Sequence, residues 1–217
     1  ILRRRGWIMI LLALLTAASA YVFSRVQTPV YRSTIFVGVQ PARPDFGLTE
    51  SAKKLLRYYV TVINTNTYAQ KVINDPAVQL DSAPEALLNQ VTIASDDSRF
   101  VIQIDVKNQN GDLANTIAQK WADALVQWRN TENAKIRRED QVDAVVLDPP
   151  QYALYSPRTN VNTLAGGILG LLLGGVVIFI LEYLESNVIR SPQDVERTLK
   201  LSVLGAIPEL AASRRKG

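Results

Sequence analysis

Cysteine and histidine are missing from this 217-residue chain, and methionine occurs once. Without cysteine there is no disulfide framework and no thiolate, and without histidine the usual zinc ligand is lost. A Ser–His–Asp or Cys–His arrangement of the usual composition is excluded with them. No G-x-x-x-x-G-K-[ST] occurs, and the one glycine-rich run, GGILGLLLGG at 166–175, has no lysine and lies in an apolar stretch. Paired carboxylates are few: Asp96 with Asp97, and Glu139 with Asp140. Adjacent residues point apart, so neither pair suits a two-carboxylate hydrolase and both read as solvated surface charge. No catalytic residue, metal or cofactor is expected, and the chain reads as a non-enzyme.

Two long apolar runs are present in their place. WIMILLALLTAASAYVF, residues 7–23, sits at the short end of what spans a bilayer, and residues 164–183 carry one charge, Glu182, near their end. A core helix as long as the second run would show a polar stripe, and this one shows none. Arg3 to Arg5, the first apolar run and Ala18-Ser19-Ala20 also resemble a cleavable signal peptide. The apolar character continues through Tyr21, Val22 and Phe23, which favours an uncleaved anchor. A start at Ile1 in place of Met points to a few residues trimmed ahead of it.

Charge orients these spans. Residues 25–160 hold 15 Lys/Arg and 15 Asp/Glu, whereas the ends hold 9 against 5, so the net charge of +4 belongs wholly to the ends. Positive flanks stay in the cytoplasm, which sets both termini inside and the middle segment outside. A neutral middle offers no basic face for nucleic acid.

That middle segment is patterned. In YRSTIFVGV, Tyr31, Ser33, Ile35, Val37 and Val39 share one face of a strand that Pro41 and Pro44 end. Helical spacing covers 50–64 and 67–74, with Asn-Thr-Asn-Thr at 64–67 as the break, and Pro84 opens a short helix. VTIASDDSRFVIQIDV is a hairpin with Phe100, Ile102, Ile104 and Val106 on its apolar face. Asp112 is the expected N-cap of a helix reaching about residue 138, striped by Leu113, Ile117, Trp121, Leu125 and Trp128. Trp121 and Trp128 could stack on sugar rings, but aromatics at this spacing more often face a core. Beyond Trp128 the charged run RNTENAKIRRED suggests a helix that projects past its core or meets another copy of itself. A strand at 142–147 follows. The order predicts an α+β domain, its mixed or antiparallel sheet covered by helices, one of them long, between two transmembrane helices.

Three short features complete the organisation. Gly166, Gly170 and Gly174 form a G-x-x-x-G-x-x-x-G ridge suited to close packing with the first span, which offers Ala13, Thr16, Ala17, Ala20 and Ser24, or with another subunit. Pro149, Pro150 and Pro157, within 147–160, suggest a stiff extended strut. In IRSPQDVERTLKLSVLGAIPEL, Ser191, Pro192 and Asp194 make a helix entry, and Val195, Leu199, Val203, Leu204 and Ile207 are too few to bury themselves. This tail, with Gly205 and Pro208 closing its strand, is expected to dock on a partner. The resulting division is 1–6 cytoplasmic flank, 7–24 first span, 25–147 outer domain, 148–160 strut, 161–184 second span and 185–217 docking module.

The ordered set of anchor, VYRSTIFVGV, outer α/β domain, DPP…YSPRTN, glycine-rich span and RSPQDVERTLKLSVLGAIP resembles the polysaccharide co-polymerase, or chain-length determinant (Wzz-type), family over nearly the whole chain. The terminal R-S-P-x-D-V-E…L-x-V-L-G-x-I-P phrase is its most specific part. The resemblance implies a homo-oligomeric ring in the bacterial cytoplasmic membrane, control of the length or export of a surface polysaccharide, and contact with a polymerase or the growing glycan. In one branch it implies a tyrosine kinase bound at, or fused to, the tail. The chain departs from the family pattern at Tyr152-Ala153, where a further proline is usual, in its short outer domain, and in having no tyrosine after Tyr183. It fits the small kinase-partnered type, or a chain cut ahead of a kinase domain. The rival reading is a membrane-anchored outer receptor for a small ligand.

Overall fold

A computed structural model describes residues 2–43, 46–78 and 80–186. It divides into two compact units, one of residues 1–22 and 160–217, the other of 23–159. The first holds most of two long helices, α1 (Leu2–Val26) and α6 (Thr159–Ser186). Both are long and apolar enough to cross a membrane, over Arg5–Val26 and Thr159–Glu185. At 1.5 Å per residue the shorter stretch measures about 33 Å, matching a hydrocarbon core. Leu14 (67% exposed), Leu172 (65%) and Phe179 (73%) stand open along these helices, an arrangement that suits lipid far better than water.

The second unit is α+β with an antiparallel sheet. In chain order it contains β1 (Val30–Pro41), α2 (Phe46–Ile63), α3 (Asn66–Ile73), α4 (Pro84–Leu88), β2 (Val91–Asp96), β3 (Val101–Asn108), α5 (Gly111–Asn133), β4 (Val142–Val146) and β5 (Gln151–Ser156). The sheet order is β2-β3-β1-β4, and β5 also pairs with β1. Alternation along β1 buries Ser33, Ile35, Val37 and Val39, where Leu56, Tyr59 and Ile63 of α2 and Ile117, Trp121 and Leu125 of α5 complete the core. Two polar members of this layer are paired: the Ser33 hydroxyl donates to Asn115 Oδ1 at 2.7 Å, and Trp121 Nε1 donates to the last carbonyl of α2, Ile63 O, at 3.1 Å.

Several expectations change here. The N-cap of α5 is Asn110, whose side chain accepts from the amides of Asp112 and Leu113. Asp112 therefore lies inside the first turn, where its charge still favours the helix. The helix stops at Asn133, short of residue 138, and its polar end does not project: Arg129 and Asn133 are buried. Phe100 stands outside the strand it was expected to join, at a positive φ of 54° in the hairpin turn. Finally, 151–156 is no free strut. It is a strand, β5, hydrogen-bonded to the first half of β1.

Candidate functional site

The glycine ridge lies against α1. A Cβ on Gly166 would come within 2.7 Å of Ala20 Cβ, on Gly170 within 2.6 Å of Ala13 Cα, and on Gly174 within 2.7 Å of Met9 Cα. Side chains at these points would drive the helices apart, so the glycines permit the contact. Gly167 would sit 3.8 Å from Ala17 Cβ, an ordinary contact, and Gly175 faces open space. Thr16 Oγ1 lies 2.7 Å from Gly166 O and 2.8 Å from Leu12 O in its own preceding turn, so one hydroxyl proton serves carbonyls of both helices. Arg5 pairs with Glu185 at the other end. Between the two candidate partners for the ridge, the chain's own first helix occupies it. Thr16 was visible as one small polar residue among Ala13, Ala17 and Ala20; the Arg5–Glu185 pair had no pattern to betray it.

The proline segment completes one edge of the sheet. β4 pairs with Val37–Pro41 of β1 and β5 with Val30–Thr34, so the two run end to end along the same strand. Between them four residues, 147–150, stand opposite Ile35 and Phe36. Pro149 and Pro150 fall in this bulge, where a residue without an amide proton breaks no ladder bond. Pro157 follows β5 across a cis Ser156–Pro157 bond. Tyr152, in place of a further proline, packs edge-on against Tyr31 at 5.5 Å and fills the space over Gly111, whose Cβ would lie 2.5 Å from its ring.

No catalytic geometry emerges among the described residues, where no group of three His/Cys/Asp/Glu is close enough to hold a metal. Asp96 Oδ1 accepts from the Ser98 hydroxyl and the amides of Ser98 and Arg99, and Asp96 Oδ2 accepts from Arg99 Nε. The Ser98 hydroxyl first, then Arg99, hold this carboxyl well below the usual range. Asp97 pairs with Arg57 at 3.1 Å, Asp140 with Arg43 at 3.6 Å and Glu139 with Arg137 at 3.9 Å. These carboxylates are engaged in turns and surface pairs.

Trp121 is fully buried, which assigns it to the core. Trp128 is half-buried and meets Tyr58 and Tyr59 at centroid distances of 6.4 and 5.4 Å beside an open groove of about 330 Å³ that Arg129 and Glu132 also line. Burial raises the Tyr59 phenol, with nearby Arg129 opposing the shift. Ser191, Pro192, Asp194, Val195, Leu199, Gly205, Ile207 and Pro208 lie outside the described residues.

No family model matches the chain. It is similar to the capsular polysaccharide biosynthesis protein CpsC of Streptococcus pneumoniae, 26% identical over 214 residues, covering 95% of this chain and 90% of that protein. The corresponding CpsC of Streptococcus agalactiae is 28% identical over 194 residues (85% and 80% covered). Capsular polysaccharide type 8 biosynthesis protein cap8A of Staphylococcus aureus is 26% identical over 213 residues (95% and 93%). Similarity along almost the full length supports the resemblance to the polysaccharide co-polymerase family.

Proposed function

We propose that this chain is a non-enzymatic membrane scaffold in capsule polysaccharide biosynthesis, setting the length or export of the glycan. The observation that carries the reading is full-length similarity to capsular polysaccharide biosynthesis proteins by a chain whose α+β unit is inserted between two helices able to span a bilayer. In this reading both termini are cytoplasmic, the α+β unit lies outside the cytoplasmic membrane, and copies assemble so that their outer domains meet the growing glycan or its polymerase. The tail, through Val195 and Leu199, takes up a cytoplasmic tyrosine kinase.

Deleting the gene in its host and sizing the polysaccharide by gel filtration tests the core of this. The expected result is a changed length distribution or lost surface glycan, restored by the wild-type chain; an unaltered distribution at unaltered yield overturns it. For the tail, replacing Val195 and Leu199 by Asp should abolish kinase co-purification while the outer unit stays folded. The receptor reading draws on the groove at Tyr58 and Trp128. A ligand-dependent rise in melting temperature of a stable monomer would favour it over the scaffold.

A further inference from the structure

We propose that Arg32, Lys107, Arg158 and Tyr155 form a binding site for the phosphate group of a membrane lipid. The site arises from an irregularity in β5. Val30 pairs with Ser156 and Tyr31 with Leu154, leaving Tyr155 as an extra residue at a register shift. Such bulges re-aim a side chain out of the regular alternation. The Tyr155 ring gathers three cations from three parts of the chain: the Lys107 ammonium lies 4.5 Å from its centroid, and the guanidinium carbons of Arg32 and Arg158 lie 5.4 and 5.7 Å away. Arg32 and Lys107 are cross-strand partners, so two like charges face each other directly on the sheet. That juxtaposition is unfavourable unless an anion sits with it.

Among the described residues no carboxylate provides that anion. Among the described residues none of the three cations makes an ion pair. Asp105, one step further along the same face, accepts instead from the Thr34 hydroxyl at 2.6 Å and from Gln103 Nε2 at 2.9 Å. The ring quadrupole compensates the cations only in part. A phosphate, by contrast, offers several acceptor oxygens to two guanidinium forks and an ammonium at once.

Chain connectivity makes the phosphate a lipid's. Arg158 immediately precedes Thr159, the first residue of α6, and β1 starts four residues beyond the end of α1. At no more than about 3.6 Å per residue, this end of the sheet stays within headgroup reach of the α1 terminus. A tyrosine ringed by arginine and lysine a few residues ahead of an apolar helix in the chain is the composition that favours headgroup depth. The inference rests on reading α1 and α6 as membrane spans.

The test uses the purified full chain in neutral detergent and measures binding of dihexanoyl phosphatidylglycerol, farnesyl diphosphate and inorganic phosphate by calorimetry. The expected result is that one of the two lipids binds, more weakly as salt rises, and that R32Q/K107Q/R158Q lowers its affinity by about tenfold or more. Preference for phosphatidylglycerol assigns the site to bulk headgroups; preference for the diphosphate assigns it to a prenyl-linked carrier. Inorganic phosphate binding as tightly as either lipid, or lipid binding that is indifferent to salt and to the triple variant, overturns the proposal. Should the triple variant not fold, Y155L and the salt dependence of the wild type decide it. These readouts are made without polysaccharide, so they fail or succeed independently of the length assay.

Discussion

Arg129 and Asn133 belong to a stretch that looks solvated in sequence, and they are buried because a strand backbone needs them. Arg129 Nε and Nη2 donate to Val142 O at 3.3 and 3.2 Å, Asn133 Nδ2 donates to the same oxygen at 3.0 Å, and Asn133 Oδ1 accepts from Arg129 Nη2 at 2.6 Å and Val142 N at 3.3 Å. Pattern reading counts charge as exposure, so it could find Ile117, Trp121 and Leu125 but not two polar residues whose partner lies in the next strand. Asn133→Ala removes the oxygen that accepts from both the Val142 amide and Arg129 Nη2, leaving that buried amide without it. It should cost about 1–3 kcal/mol in urea unfolding followed by tryptophan fluorescence. Titration at two other residues adds a pH dependence. The carboxyl of Asp96 is lowered in the folded chain, so its contribution is present above the ordinary value of about 3.9 and is lost as pH falls through the folded one. Asp96→Asn should flatten the acid limb of the stability profile. Burial, with Glu132 adding to it, pushes Tyr68 up to about 12, so its contribution is intact below about 10 and fades as pH rises toward 12. Tyr68→Phe should remove that alkaline loss, read by the same fluorescence assay across pH.

Elements were more legible than their ends. Helical and alternating periods in the sequence anticipate α2, α3, α4, the β2–β3 hairpin and the long α5, because each presents one apolar face to the same core. The proline-dense segment was read as extended and stiff, but extension alone does not tell a strut from an edge strand. Its partner, the first half of β1, lies more than a hundred residues earlier in the chain, beyond any local signal. The glycine ridge was legible as a packing surface, while its partner was open until α1 was seen against it. The native absence of cysteine makes this contact easy to check. Ala17→Cys with Gly167→Cys places two Cβ atoms about 3.8 Å apart, a spacing suited to a disulfide. Mild oxidation should give an intramolecular crosslink, seen as a mobility shift at monomer mass; crosslinked dimers would mean that the ridge joins copies instead.

For the molecule as a whole, two apolar runs anticipated two helices long and apolar enough to cross a membrane, the pattern between them anticipated an α+β unit, and the relatives support the family resemblance on which the function was expected. Sidedness is a separate matter and follows from where positive charge collects. Single cysteines supply the check: Lys135→Cys should react with an impermeant maleimide in intact cells, and Ser213→Cys only after permeabilisation. The reverse pattern would invert the topology. One further consequence concerns load. Val30 and Ser156 are neighbours on antiparallel strands, so the chain enters and leaves the sheet at a single corner. Drawing the two exits apart would stress the β1–β5 rungs in succession, like a zip opened from its end, and not all together. A load applied at residues 30 and 156 therefore meets the sheet where it opens rung by rung.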